Sequence, residues 1–141
     1  MTIADERLSK ILLDTRVIAM VGASIRPDRP SFRVGTYMAA QGYRVIPVNP
    51  GHAGETHFGE TVVASLDTIP DKVDMLNIFR RADQIAPVVR EGLKALLGLK
   101  YVWMQLGLSN AEGRKLAEDA GLSVVEDRCL LIEHQRLIRP R

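Results

Sequence analysis

Cysteine is nearly absent from this sequence. Cys129 stands alone, so no intrachain disulfide can form and a disulfide-stapled secreted scaffold is excluded. Aromatic residues make up 5% of the chain and the formal net charge is only +2. With no paired-cysteine finger and no aromatic RNP string, nucleic acid is not an expected partner. No apolar run reaches the roughly 18 residues of a membrane span, and Met1–Lys10 carries charges where a signal peptide needs an apolar core. The expectation is a cytoplasmic protein with no membrane partner. His52, His57 and His134 lack the i, i+4 spacing of a metal pair and have one cysteine among them, so no metal is expected. There is no Ser-His-Asp order, no G-x-S-x-G elbow and no Walker lysine. No catalytic residue is assigned, and a non-catalytic protein is expected.

What the chain has is an ordinary globular balance: 46% hydrophobic and 26% charged residues over 141 positions. That suits one domain over 1–141, with a core from about 8 to 137, since domains of roughly 100 to 200 residues close a core without staples. Short runs rich in Val and Ile alternate with longer amphipathic stretches and no repeat intervenes. This pattern predicts an α/β fold of Rossmann type: a mostly parallel sheet with helices on both faces.

The expected elements are a helix over Thr2–Asp14 opened by a Thr-x-x-Asp cap, a strand over Val17–Val21, and a helix from Ser31 to Gln41 stopped by Gly42. A second strand over Tyr43–Val48 ends at the Asn49-Pro50-Gly51 turn, and a short third strand is read at Thr61–Val63. A strand over Val73–Phe79, a helix over Ala82–Leu97 and a strand over Tyr101–Gln105 follow. A helix over Ser109–Ala120 closed by Gly121, a strand over Ser123–Glu126 and a helix over Leu130–Leu137 complete the set. Right-handed crossovers give the strand order 3-2-1-4-5-6.

In such a sheet a ligand lies at the carboxyl ends of the strands where the order reverses. Gly22, Ala23 and Ser24 stand there after the first strand, Asn49 and Pro50 after the second, Phe79 and Arg80 after the fourth, and Gln105 and Gly107 after the fifth. Small residues at Gly22–Ser24 let backbone approach a phosphate, and the helix beginning at Ser31 offers N–H groups and the positive end of its dipole. A branched side chain at Gly22 is expected to block that approach and leave the fold intact. The segment RPDRPSFR, residues 26–33, sets Arg26, Arg29 and Arg33 against one aspartate and suits an anionic small molecule, or else is a solvated face. Arg80 reads either as a ligand contact or as the partner of Asp83 or Asp28. Gln105 is open between ligand contact and structure. The dinucleotide fingerprint is absent, because Ser24 and Pro27 stand where G-x-G-x-x-G needs glycines and Asn49 replaces the acidic residue that holds a ribose. Both departures weigh against NAD.

The strings VGASIRPDRPSFRVGTYMAAQGYRVIPVNP, VDMLNIFR, YVWMQLG and VVEDRCLLIEH, in this order, resemble the stand-alone CoA-binding domain proteins of bacteria and archaea. These in turn look like the N-terminal domain of the succinyl-CoA synthetase α subunit. The resemblance implies coenzyme A, free or acylated, as the bound ligand. It places the ligand on Gly22 to Ser31, on the turn from Asn49 to His52 and on Ile78-Phe79-Arg80. Lysine is usual in the ligases where His52 stands, and the ligase domain bearing the phosphorylated histidine is missing, so ligase activity does not carry across. The expected role is a carrier, sensor or partner module for CoA or acyl-CoA, with a protein partner or a homo-oligomer as a further expectation. An NAD(P)- or nucleotide-dependent enzyme on the same fold is the alternative. Cys129 is expected to pack in the interior, the other reading being a mixed disulfide with the CoA thiol.

Overall fold

The computed structural model describes residues 3–138. Its elements in chain order are α1 (Asp5–Asp14), β1 (Val17–Val21), α2 (Pro30–Ala40), β2 (Arg44–Val48), β3 (Thr56–His57) and β4 (Glu60–Thr61). They continue with β5 (Met75–Ile78), α3 (Ile85–Ala95), β6 (Tyr101–Met104), α4 (Ala111–Asp119), β7 (Ser123–Val125) and α5 (Leu130–Leu137). The expected Thr2 cap lies outside the described residues, and α1 begins behind an Ala4 N-cap that makes no side-chain bond.

The main sheet has five parallel strands in the order β2-β1-β5-β6-β7. Alternate residues of each strand face opposite sides. Ile18 and Met20 of β1, Met75 of β5, Trp103 of β6 and Val125 of β7 pack with α1, α2 and α5. Ala19, Val21, Leu76, Ile78, Val102 and Met104 pack on the other face with α3 and α4. Both faces are covered, which is why the strands are apolar almost throughout. The amino end of the sheet is closed by Asp74, whose carboxylate accepts the N–H groups of Arg16 at 2.9 Å and Val17 at 3.0 Å. The carboxyl end is left to loops.

The expected third strand is corrected. Residues 56–61 form a two-stranded antiparallel hairpin, β3-β4, and only Val63 pairs parallel to the sheet, in a single bridge to Val48. The reason lies in β2. Its residues 44 and 48 bond toward β1, through Arg44 N–H to Arg16 and Val48 C=O to Gly22, so Pro47 faces the outer edge. Proline has no N–H to give a ladder there. Val63 takes the Pro47 carbonyl and the Asn49 N–H, while Val62 turns back to bond Gly54 and Glu55. The order of the sheet is therefore 2-1-4-5-6 in the expected numbering, with the third position reduced to one residue. The hairpin seats Phe58 on α2 at Gly35, where any Cβ would fall inside the ring.

Candidate functional site

Three strand ends meet at Gly22. Its N–H donates to the Val48 carbonyl at 3.2 Å, tying β1 to β2. On its other side a Cβ would stand 2.8 Å from the Phe79 carbonyl oxygen and 3.2 Å from Cδ of Arg80, and its φ of +86° is one that favours glycine. Glycine is thus required here by the protein's own backbone. The expectation that a branched residue at this position would spare the fold is overturned.

The loop beyond it is wired by small polar groups. Ser24 N–H donates to Ser31 Oγ at 2.9 Å, and Arg26 N–H donates to Ser24 Oγ at 3.1 Å. Asn49 Nδ2 donates to the Ala23 carbonyl at 2.7 Å, while its Oδ1 accepts from Gly51 N–H at 2.9 Å, so one side chain locks the first loop to the turn after β2. Pro30 contributes no N–H to the start of α2, and Phe32 N–H is taken by the Arg29 carbonyl. Among the described residues the N–H groups of Ala23, Ile25 and Ser31 are left without a protein acceptor. Fewer helix-start donors are available than the sequence led one to expect, and Ile25, unremarkable in sequence, supplies one from the loop.

Gly22, Asn49, Pro50 and Arg80 line one crevice of about 400 Å³. Ser65, Leu66 and Glu91 complete its wall, with Glu91 Oε2 accepting Leu66 N–H at 3.2 Å. These three come from the segment after the hairpin and from α3, and their convergence has no sequence signal. Arg80 is exposed and belongs to no ion pair among the described residues, because Asp83 pairs with Arg81 and Asp28 with Arg26. Arg29, the N-cap of α2, is likewise exposed and unpaired, whereas Arg33 donates to the Asp28 carbonyl at 2.9 Å. Among the described residues, then, Arg29, Arg33 and Arg80 stay outside ion pairs, Arg33 being tied to a backbone carbonyl, whereas Arg26 does not.

The remaining expected residues stand apart from the crevice. Ile78 is fully buried among the residues under α3 and α4, its carbonyl accepting Gln105 N–H at 3.3 Å. Gln105, 5% exposed, turns inward, where its Oε1 lies 3.5 Å from both Asn77 Nδ2 and Leu130 N. Both side chains serve the interior; the contact expected at Ile78 is one of backbone, which a buried side chain leaves open, while the Gln105 side chain takes the structural one of its two expected roles. Phe79 is half-buried against the α1, α2 and α5 side. His52 is half-buried with Nδ1 2.9 Å from Glu55 Oε2, and His57 Nε2 lies 3.5 Å from the other carboxylate oxygen. The His52 contact, with a smaller part from His57, holds the Glu55 carboxyl below its ordinary value. Cys129 is the N-cap of α5, half-buried, and opens on a groove beside β7 and not on the crevice.

A parallel sheet wound in both directions from β1, with loops converging at the switch between β1 and β5, defines a Rossmann-type α/β domain whose binding position is the carboxyl edge. Within that class the chain belongs to the CoA binding domain family, whose pattern matches residues 16–135. It is 36% identical over 127 residues to the uncharacterized protein YneT of Bacillus subtilis (strain 168), covering 90% of this chain and 91% of that one. The solved structure of cell-free ID.343 from Thermus thermophilus is 40% identical with a TM-score of 0.90, covering 96% of this chain and 100% of that one. A dinucleotide-forming acetyl-coenzyme A synthetase 1 of Ca. Korarchaeum cryptofilum, solved with phosphate and ADP, is 25% identical with a TM-score of 0.61. That similarity covers 77% of this chain and 25% of the synthetase chain. Membership in the family supports a coenzyme A-related role.

Proposed function

We propose that this protein binds coenzyme A or an acyl-CoA at the crevice and acts as a carrier, sensor or partner module without catalysing a reaction itself. One observation carries the reading: Arg80, outside any ion pair among the described residues, stands in the crevice at the close approach of Gly22, while the one carboxylate of the lining, Glu91, is engaged by Leu66 N–H. An unpaired guanidinium suits a phosphate, which takes charge-assisted bonds from arginine and from backbone N–H groups such as those left free on the first loop. The residues fit such a ligand. In this reading the Ala23, Ile25 and Ser31 N–H groups and Arg29 face the pyrophosphate, Arg80 takes a phosphate oxygen, and Asn49 and Pro50 hold the turn that shapes the opening. His52 is held by Glu55 and serves the turn.

Thermal denaturation tests the proposal. A ligand at about 100 times its Kd stabilises the native state by roughly 2.7 kcal/mol, which is a rise of several degrees in Tm. CoA should give that rise and NADH a smaller one at equal concentration. An equal or larger shift with NADH would replace the CoA reading by a dinucleotide-dependent one.

A further inference from the structure

Coenzyme A is longer than the crevice of about 400 Å³ that would hold its phosphates. Beyond the phosphates runs a neutral pantetheine arm of about a dozen chain atoms, equal to roughly four residues of extended backbone or about 14 Å. What stands along the carboxyl edge of the sheet decides where the end of that arm comes to rest.

A second cleft opens on this edge. It is a groove of about 800 Å³ beside β7, a size that takes whole small-molecule ligands. Leu106, Asp127 and Cys129, which follow the ends of β6 and β7, line it together with Ile132 of α5, over the buried Val124. In the order β2-β1-β5-β6-β7 the last strand lies three spacings from β1, roughly 14 Å at 4.8 Å per spacing. The arm and the path have the same length. Gln105, at the end of β6 on this path, is turned inward and does not stand in the way.

The groove offers little to an ion. Each charged side chain of its lining has a partner within the chain: Arg114 is paired with Glu118 and Glu126, Arg128 with Glu133, Arg7 donates to Ser123 Oγ at 3.0 Å, and Asp127 accepts Gly107 N–H at 2.7 Å. What is left over is apolar surface, since Leu106 and Ile132 are 60% and 48% exposed. An uncharged occupant with an apolar end gains there what an anion does not.

We infer that the groove is the acyl site of a CoA thioester whose phosphates are held at the crevice: the pantetheine arm crosses the ends of β5 and β6, and an apolar, straight-chain acyl group lies against Leu106 and Ile132. The inference rests on the CoA reading of the crevice and adds the class of ligand, an acyl-CoA with an apolar chain in preference to free CoA or acetyl-CoA.

Calorimetric titration of the full chain with acetyl-, butyryl-, hexanoyl- and octanoyl-CoA below their micellar concentrations tests this. A fully buried methylene is worth roughly fourfold in affinity; in a groove open on one side each should tighten binding about twofold, so octanoyl-CoA should bind roughly 60-fold tighter than acetyl-CoA. Leu106→Asp and Ile132→Asp, both at exposed positions, should each cut that ratio to below about tenfold, because a carboxylate against the acyl chain is costly to desolvate. Arg80→Ala should weaken every member of the series by the same factor and leave the ratio as it is. Circular dichroism verifies that each variant is folded. Equal affinity along the series, or a ratio that neither aspartate changes, overturns the acyl site and leaves the CoA reading in place, whereas binding of neither CoA nor any thioester overturns both.

Discussion

The crevice at the ends of β1, β2 and β5 encloses about 400 Å³, half the roughly 800 Å³ of the groove along β7. The groove holds more charge, with three arginines and four acidic residues, yet Arg114 and Arg128 are spent on carboxylates of their own chain. The crevice holds Arg80 outside any ion pair among the described residues, beside the close approach of backbone at Gly22, with the Glu91 carboxylate in its wall bonded to Leu66 N–H. Volume records space, whereas an anion is bound by donors the protein has not already satisfied. On that ground the smaller cleft is the better candidate for an anionic ligand.

The contrast breaks most severely at Gly22. Gly22→Val forces a side chain against the Phe79 carbonyl in a backbone conformation that valine resists, at a cost of roughly 3 kcal/mol or more. The Tm should fall by on the order of 10 °C. The CoA response should vanish with it, and a well-folded variant that merely fails to bind would show that the ligand, and not Phe79, requires the glycine.

Next in size is a comparison of two arginines. Arg80→Ala should weaken CoA binding by about 10- to 100-fold if the guanidinium makes one charge-assisted bond. Arg26→Ala removes a side chain paired in solvent with Asp28 and should change affinity by less than about threefold. Calorimetry on both variants sharpens the distinction between free and spent charge, and equal losses would erase it.

Much of this arrangement can be read from the sequence, and what resists is instructive. The strand over Val17–Val21 and the helix over Leu130–Leu137 are found where hydrophobic runs and spacing put them. So are the small residues at the first strand end and the turn at Asn49. The third strand fails because Thr61-Val62-Val63 has strand composition while its would-be partner presents Pro47 outward, and outward facing depends on register, which composition does not contain. Gln105 and Ile78 sit at strand ends yet turn inward for the same reason. Ser65 and Glu91 reach the crevice from segments 26 residues apart, brought together only by the packing of α3.

The smallest expected effect concerns α1, a wall of the groove through Ile3, Ala4 and Arg7 but no part of the crevice lining. Two phenols tie it down. Tyr43 donates to the Leu12 carbonyl at 2.6 Å and Tyr101 donates to Asp14 Oδ2 at 2.5 Å. Burial above all raises both, Tyr43 to about 12 with a further push from Tyr37, and Tyr101 to about 12 with help from its bond to Asp14. A group whose folded pKa is raised favours the native state fully below its unfolded value and loses that contribution as pH climbs to the folded value. The window is thus pH 10 to about 12. Ionised phenols cannot donate, so α1 should loosen across this window before the crevice does. Hydrogen exchange is too fast to follow at such pH, but proteolysis-free readouts serve: the pH dependence of Tm should be flatter above pH 10 in a Tyr43→Phe, Tyr101→Phe double variant than in the wild type. Below pH 9 the double variant should be slightly less stable, having lost two hydrogen bonds of about 1 kcal/mol each at most. Parallel Tm curves for the two proteins above pH 10 would show that α1 is held by its apolar face alone.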